Sequence, residues 1–156
     1  MKVRVNMTVN RESFSLNIQP NRTLISVLRE EVEINGVKEG CGTGYCGACT
    51  VLLDGRPVCS CCVLAADAHN CEILTVEGLS IDGELHPLQK SFIEHGAIQC
   101  GYCTPGMLLS TKALLDENPS PSEEEIRTAI SGNLCRCTGY SKIVEAVRWV
   151  AETGQV

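Results

Sequence analysis

Eleven of the 156 residues are cysteine, and their placement constrains the fold more than any other feature of the chain. Three of them fall in the run Glu39-Gly-Cys-Gly-Thr-Gly-Tyr-Cys-Gly-Ala-Cys-Thr50, where Cys41-x4-Cys46-x2-Cys49 is threaded with Gly40, Gly42, Gly44 and Gly47. Such a stretch forms neither a helix nor a strand interior, because glycine weakens both and frees the backbone for positive φ. It reads as a loop wrapped around something. A C-x2-C pair is expected by accident about once in a chain with this much cysteine, whereas the expectation for the triple is about 0.05, so the triple is the informative signal.

That spacing is the one used by plant-type 2Fe-2S ferredoxins. A buried anionic cluster needs thiolates presented from a tight loop, and the four glycines let backbone N–H groups turn inward toward the sulfurs. A fourth ligand must come from downstream. Spacing does not choose among Cys59, Cys61, Cys62 and Cys71, although a strand through 59–61 would place Cys59 and Cys61 on one face. A second group follows in Cys100-Gly-Tyr-Cys103 and Cys135-Arg-Cys137, each pair beside a helix-end signal such as Gly101, Pro105 or Gly139. Helix ends leave N–H groups free for sulfur, so these two loops make a second four-thiolate site. Two structural zinc sites would use eight of the eleven cysteines equally well. The usual zinc-ribbon interval of about 15 to 20 residues between pairs is not met by Cys46/Cys49 and Cys59/Cys62, however, and the glycine run suits a larger inorganic core. A Rieske centre would need two histidine ligands, and His69, His86 and His95 show no C-x-H pairing.

Composition sets the surroundings. Hydrophobic residues are 44% and charged residues 21%, which excludes disordered, collagen-like and coiled-coil classes. The N-terminal residues 1–8 alternate apolar with polar and contain no apolar segment of the kind a secretory signal needs, and no stretch suits a membrane span. The expectation is a cytoplasmic chain, in which cysteines bind metal more often than they pair as disulfides. A net charge of −6 offers no basic face to nucleic acid or anionic lipid, and it suits an acidic electron carrier docking on basic surfaces.

Residues 3–9 and 12–18 alternate with period two and are joined around Asn10-Arg11, which predicts a hairpin. Thr23 then caps a helix bearing Leu24, Ile25, Val27, Leu28 and Val32, with Gly36 just beyond. Thr50–Leu53, the turn Asp54-Gly55 and 57–61 read as a second hairpin, and 73–76 as one more strand. From about residue 80 the period changes to roughly 3.6. Helices are predicted at 87–95, 105–117, 122–131 and 140–152, with Ser122 as a cap and Glu123, Glu124 and Glu125 as a solvated first turn. Two units are therefore expected, 1–79 and 80–156, in an α+β chain.

The cysteine loop, together with Gln99-Cys-Gly-Tyr-Cys-Thr-Pro-Gly106 and Gly132-Asn-Leu-Cys-Arg-Cys-Thr-Gly-Tyr140, closely resembles the small iron-sulfur subunit of the molybdenum hydroxylases, the xanthine dehydrogenase family. The resemblance covers essentially the whole chain. It implies an N-terminal β-grasp domain like plant ferredoxin, followed by an all-α four-helix domain. It also implies two 2Fe-2S clusters, one on Cys41, Cys46, Cys49 and Cys61, with Gly42, Gly44 and Gly47 in its loop, and one on Cys100, Cys103, Cys135 and Cys137. Gln99 and Cys137 would lie beside the pterin of a large molybdopterin subunit, and a medium subunit would carry FAD, in a heterotrimer or a dimer of heterotrimers. Electrons would enter at the second cluster, cross to the first and reach flavin, with the direction reversed in reductase members. No substrate bond would be made or broken on this chain. A free-standing two-cluster ferredoxin and a zinc-stabilised interaction module are the competing readings.

The remaining residues read more plainly. Cys59, Cys62 and Cys71 are surplus and are expected as buried small apolar side chains. His86 and His95 sit at helix ends, where capping is expected, and Tyr45 and Tyr102 are expected to pack as apolar covers over the clusters.

Overall fold

A computed structural model describes residues 1–154. Its strands are β1 (Val3–Val9), β2 (Glu12–Ile18), β3 (Thr50–Leu53), β4 (Arg56–Cys59) and β5 (Glu72–Leu74), and helix α1 (Leu24–Glu30) lies between β2 and β3. Helices α2 (Pro87–Glu94), α3 (Thr104–Glu117), α4 (Glu123–Ala129) and α5 (Ser141–Thr153) follow, and short 3-10 turns cover Ala65–Ala68 and Val76–Leu79. The chain is α+β, as its periodicities predict. The last two residues of the second expected unit, 155 and 156, lie outside the described residues.

The five strands form one mixed sheet in the order β2-β1-β5-β3-β4, in which β1 and β5 run parallel and the other neighbours antiparallel. Asn10 and Arg11 both adopt positive φ (50° and 72°), as a two-residue link between twisted strands requires. Asn10 then reaches across the sheet end: its Nδ2 donates to Thr75 Oγ1 at 2.9 Å, and its Oδ1 accepts from the Thr75 N–H at 2.9 Å. The hairpin is thereby tied to the end of β5.

Thr23 caps α1 as expected, its hydroxyl accepting from the Ser26 N–H at 3.4 Å. The helix stops earlier than its apolar stripe suggests. The N–H groups of Glu31 and Val32 both turn back to the Val27 carbonyl, and Glu33, not Gly36, takes the left-handed conformation that ends it (φ 63°). Val32 still packs against the core from beyond the helix. Strand β4 also ends early, at Cys59, where the Cys62 N–H bonds back to the Cys59 carbonyl at 2.9 Å. Cys61 therefore lies in a turn, and strand alternation does not place it on a face with Cys59.

Two apolar cores result. One packs β1 and β5 against α1, with Val5, Leu24, Leu28, Val51 and Ile73 buried. The other joins the four later helices through Leu88, Phe92, Met107, Leu109, Ile126 and Val147. Strand β3 serves both. Successive side chains point to opposite faces of a strand, so Val51 enters the first core while Leu52 enters the second. The chain passes from one core to the other between Thr75 and Leu79, with Leu79 already in the helical core.

His86 caps α2: its Nδ1 accepts from the Leu88 N–H at 3.2 Å, and Gln89 Oε1 accepts from the His86 N–H at 2.9 Å. Ser122 and Glu125 make the matching reciprocal cap on α4. Helices α2 and α5 are pinned by the Ser91 hydroxyl, which donates to the Ala146 carbonyl at 2.8 Å, and His95 packs its ring on Trp149.

The halves meet closely where α3 begins. A Cβ on Gly106 would collide with the carbonyl oxygen of Gly47 in the cysteine loop, and backbone cannot swing aside as a flexible side chain can. Gly106→Ala is expected to destabilise the chain by about 1–3 kcal/mol, the usual cost of overpacking. Gly132→Ala, where an added Cβ meets nothing within 4 Å, is the control and should change little. Thermal or denaturant unfolding of the two variants checks this.

Candidate metal centres

The cysteine loop closes on Cys41. Its Sγ accepts from three backbone N–H groups, those of Thr43 at 3.4 Å, Tyr45 at 3.3 Å and Cys46 at 3.4 Å. Gly42, Gly44 and Gly47 all take positive φ (65°, 76° and 70°), and those of Gly42 and Gly44 turn the N–H groups toward one sulfur. The Thr43 hydroxyl, together with the N–H groups of Thr43 and Cys46, lowers the Cys41 thiol to about 6. Deeper in the loop the balance reverses. Burial pushes Cys49 up to about 12, although a hydrogen bond from the Cys61 backbone acts to lower it.

The second group lies at the starts of α3 and α5. Cys103 is the residue just before α3, Pro105 occupies its first turn, and Tyr140 precedes α5 in a left-handed conformation (φ 69°). Burial pushes Cys103 up to about 12. Burial also acts to raise Cys135, but hydrogen bonds from the Thr138 hydroxyl and N–H outweigh it and leave that thiol lowered. The hydroxyl contact is 3.1 Å.

Thiols far apart in the chain come together in the second group. Cys100 and Cys137 lie 3.6 Å apart, sulfur to sulfur. A tetrahedral metal with sulfur bonds of about 2.3 Å separates two of its thiolates by about 3.8 Å, so this pair suits two ligands of one metal. Among the described residues no group of three or more His, Cys, Asp or Glu side chains is arranged to hold a single ion. The chemistry of the donor set suits an iron-sulfur core, since thiolates favour such clusters and the loop supplies N–H donors to sulfur.

The surplus thiols differ from expectation. Cys62 is exposed and Cys59 and Cys71 are half-buried, so none is a fully buried apolar filler. Cys59 contacts the Gly44 carbonyl at 3.6 Å and Cys62 lies 3.7 Å from Cys61, which crowds three thiols around the fourth position of the first site. The tyrosines differ too. Tyr45 is 76% exposed and covers nothing, and Tyr102 is half-exposed, with its hydroxyl donating to the Glu39 carbonyl at 2.6 Å. In the second group Gln99, Cys100 and Cys137 all lie at the surface.

The two sites face each other. A cavity of about 260 Å³ is lined by Cys41 and Cys46 on one side and by Cys100, Cys103, Cys135 and Cys137 on the other, with Arg136 at its edge. Beside it the Leu134 N–H donates to the Cys46 carbonyl at 2.9 Å, which places one hydrogen bond between the residue preceding Cys135 and a cysteine of the first loop. Asn133 was not singled out by sequence reasoning. It is 4% exposed, and its side chain spans the same seam.

The chain matches two family models, a 2Fe-2S iron-sulfur cluster binding domain over residues 7–75 and a 2Fe-2S binding domain over residues 75–148. It is 54% identical over 151 residues to the nicotinate dehydrogenase small FeS subunit of Eubacterium barkeri, covering 97% of this chain and 96% of that one. The crystal structure of quinoline 2-oxidoreductase from Pseudomonas putida 86 superposes with a TM-score of 0.92 at 46% identity, covering 99% of both chains. Aldehyde oxidoreductase from Desulfovibrio desulfuricans superposes at 0.93 and 45% identity, with 97% of this chain matching 17% of that longer one. Among the described residues no helix is long and apolar enough to cross a membrane.

The thiolate is the reactive form of cysteine, so alkylation follows the fraction ionised. In the metal-free chain Cys41 should therefore be modified first, its rate rising through a pH of about 6, while Cys49 and Cys103 stay inert until the pH approaches about 12. Peptide mapping after iodoacetamide treatment across pH measures this order.

Proposed function

Because the chain belongs to the family of small 2Fe-2S subunits of the molybdenum hydroxylases, we propose that it relays electrons between a molybdopterin centre on a large subunit and FAD on a medium subunit. It is an electron-transfer subunit of an oxidoreductase complex and carries out no substrate chemistry of its own. When bound, each 2Fe-2S cluster supplies one-electron redox chemistry. Everything else is done by the residues that hold, insulate and orient the two sites.

The observation that carries this reading is the convergence of Cys41 and Cys46 with Cys100, Cys103, Cys135 and Cys137 on one cavity, in loops that touch at Cys46 and Leu134. On this reading Cys41, Cys46, Cys49 and Cys61 hold one cluster and Cys100, Cys103, Cys135 and Cys137 the other. Residues 1–79 form a β-grasp unit and 80–156 a four-helix unit. Support comes from the mixed sheet packed on α1, the separate helical core and the two family-model ranges that meet at residue 75.

Gln99 and Cys137 face the pterin of the large subunit. The support is their exposure, together with a fringe of exposed apolar residues, Ile98, Tyr102 and Leu134, of the kind an interface covers. The flavin subunit approaches the first site, and the assembly is a heterotrimer, or two of them, in the cytoplasm. Substrate binds on the large subunit, so its identity is not written in this chain.

Two outcomes follow. Anaerobically purified protein should contain about four iron and four acid-labile sulfide per chain, from two sites of two irons each. About two zinc per chain in a colourless solution would overturn the redox reading. Cys61→Ser should remove or strongly alter the EPR signal of the ferredoxin-like cluster, whereas Cys59→Ser and Cys62→Ser should leave it nearly intact. The reverse pattern would move the fourth ligand to one of the crowded neighbours.

A further inference from the structure

We propose that Asn133 is the positioning residue that locks the two cysteine loops together and so sets how fast electrons cross between them. The inference rests on the two-cluster reading above and adds to it a role for a residue that ligates nothing.

Asn133 sits where three pieces of the chain converge. Its Nδ2 donates to the Gly47 carbonyl at 3.0 Å and to Thr50 Oγ1 at 3.2 Å, and its Oδ1 accepts from the Ser110 hydroxyl at 2.7 Å. The orientation of the amide is fixed by chemistry, because a carbonyl oxygen can only accept and so must face the NH2 end. Each bond reaches a different element: Gly47 belongs to the first cysteine loop, Thr50 opens β3, and Ser110 lies on α3. Thr50 closes the ring by donating its own hydroxyl to the Gly47 carbonyl at 2.7 Å.

The grip has two points. The Asn133 side chain holds the Gly47 carbonyl, while the next residue along, Leu134, holds the Cys46 carbonyl through its N–H at 2.9 Å. Two consecutive residues of the second loop thus hold two consecutive carbonyls of the first. A cysteine adjoins the grip on each side, Cys46 on one and Cys135 on the other. A single hydrogen bond would let the loops pivot about it, and the second removes that freedom. Close contact around the seam permits the fit, since a Cβ on Gly47 would collide with the Gly132 carbonyl and one on Gly106 with the Gly47 carbonyl.

The functional consequence lies in distance and coupling. One electron leaves the reduced site and arrives at the other, with no bond made or broken. The most direct connection runs through the backbone from Cys135 to Leu134, across its hydrogen bond, and into Cys46. Asn133 holds that bond in register but touches no sulfur, so its removal should alter transfer and leave metal binding intact.

The test compares wild type, Asn133→Ala, Asn133→Asp and Ser110→Ala in the assembled complex. It reads iron content, the magnetic interaction between the two reduced clusters in low-temperature EPR, and the rate of intramolecular transfer after rapid reduction. Asn133→Ala should keep its iron, show a weaker or altered interaction, and transfer roughly tenfold or more slowly, as misplacement of reacting partners by about an ångström does. Asn133→Asp should be at least as slow, because a carboxylate faces the Gly47 carbonyl with no proton to offer. Ser110→Ala, which leaves both donors in place and frees only the far end of the amide, should fall between it and wild type.

Full iron with wild-type interaction and rate in Asn133→Ala would overturn the positioning role. So would loss of iron in both Asn133→Ala and Ser110→Ala, which would make the residue a fold determinant only. Wild-type protein without iron would instead defeat the two-cluster reading itself, so the two failures are distinguishable.

Discussion

A thiolate held out of water must be given hydrogen-bond donors, and the backbone is the densest source of them. This requirement governs both halves of the molecule. In the first, three N–H groups converge on Cys41, helped by Gly42 and Gly44, which take backbone conformations that other residues resist. In the second, the donors come from the loop that precedes α5, where Thr138 offers both its N–H and its hydroxyl to Cys135. Each loop gives up regular structure to face sulfur and cannot hold its own shape. The rest of the chain is the scaffold that holds it.

That scaffold is arranged so that the two loops share one wall. Strand β3 is buried on both faces and contributes Val51 to one core and Leu52 to the other. A sheet strand packed on both sides leaves little room for one half to slide against the other, because a shift of one residue would exchange the two faces. The Asn133 bonds act at the end of that same strand, through Thr50. Rigid placement of the metal loops is therefore a product of apolar packing along β3 and of polar contacts at its start. Neither alone sets position and register.

Much of this was legible in the sequence, for local reasons. The Cys41-x4-Cys46-x2-Cys49 loop, the Asn10-Arg11 hairpin, the Thr23, His86 and Ser122 caps and the four later helices all depend on residues within a few positions of one another. The last strand lies at 72–74 and not 73–76, and two further boundaries moved for reasons equally physical. Helix α1 ended at Glu30 because the Glu31 and Val32 N–H groups found the Val27 carbonyl before the chain reached Gly36, and β4 ended at Cys59 because a turn bond formed there. The surplus thiols were misjudged because burial belongs to tertiary packing: Cys62 looked like a small apolar filler and lies at the surface. Asn133 was invisible for a stronger reason. Its partner Gly47 is 86 positions away and contributes only a carbonyl, which every residue has.

The two sites differ most in their access to solvent. Cys49 and Cys61 are buried, at 2% and 7% exposure, whereas Cys100 and Cys137 are open, with Gln99 beside them. An iron-sulfur centre held by exposed thiolates is vulnerable to oxidation, because susceptibility follows thiolate character and access. On the proposed assignment, the open side of the second site is tolerable only when another surface covers it, and the exposed apolar fringe of Ile98, Tyr102 and Leu134 gives such a surface something to bury. The first site is closed on the Cys49 and Cys61 side by its own core and presents Tyr45 and Cys62 outward. A subunit open at one site and largely closed at the other is built to be completed by its neighbours. On that assignment the exposed end is the one a partner would cover, while the Asn133 and Leu134 contacts hold the two loops together.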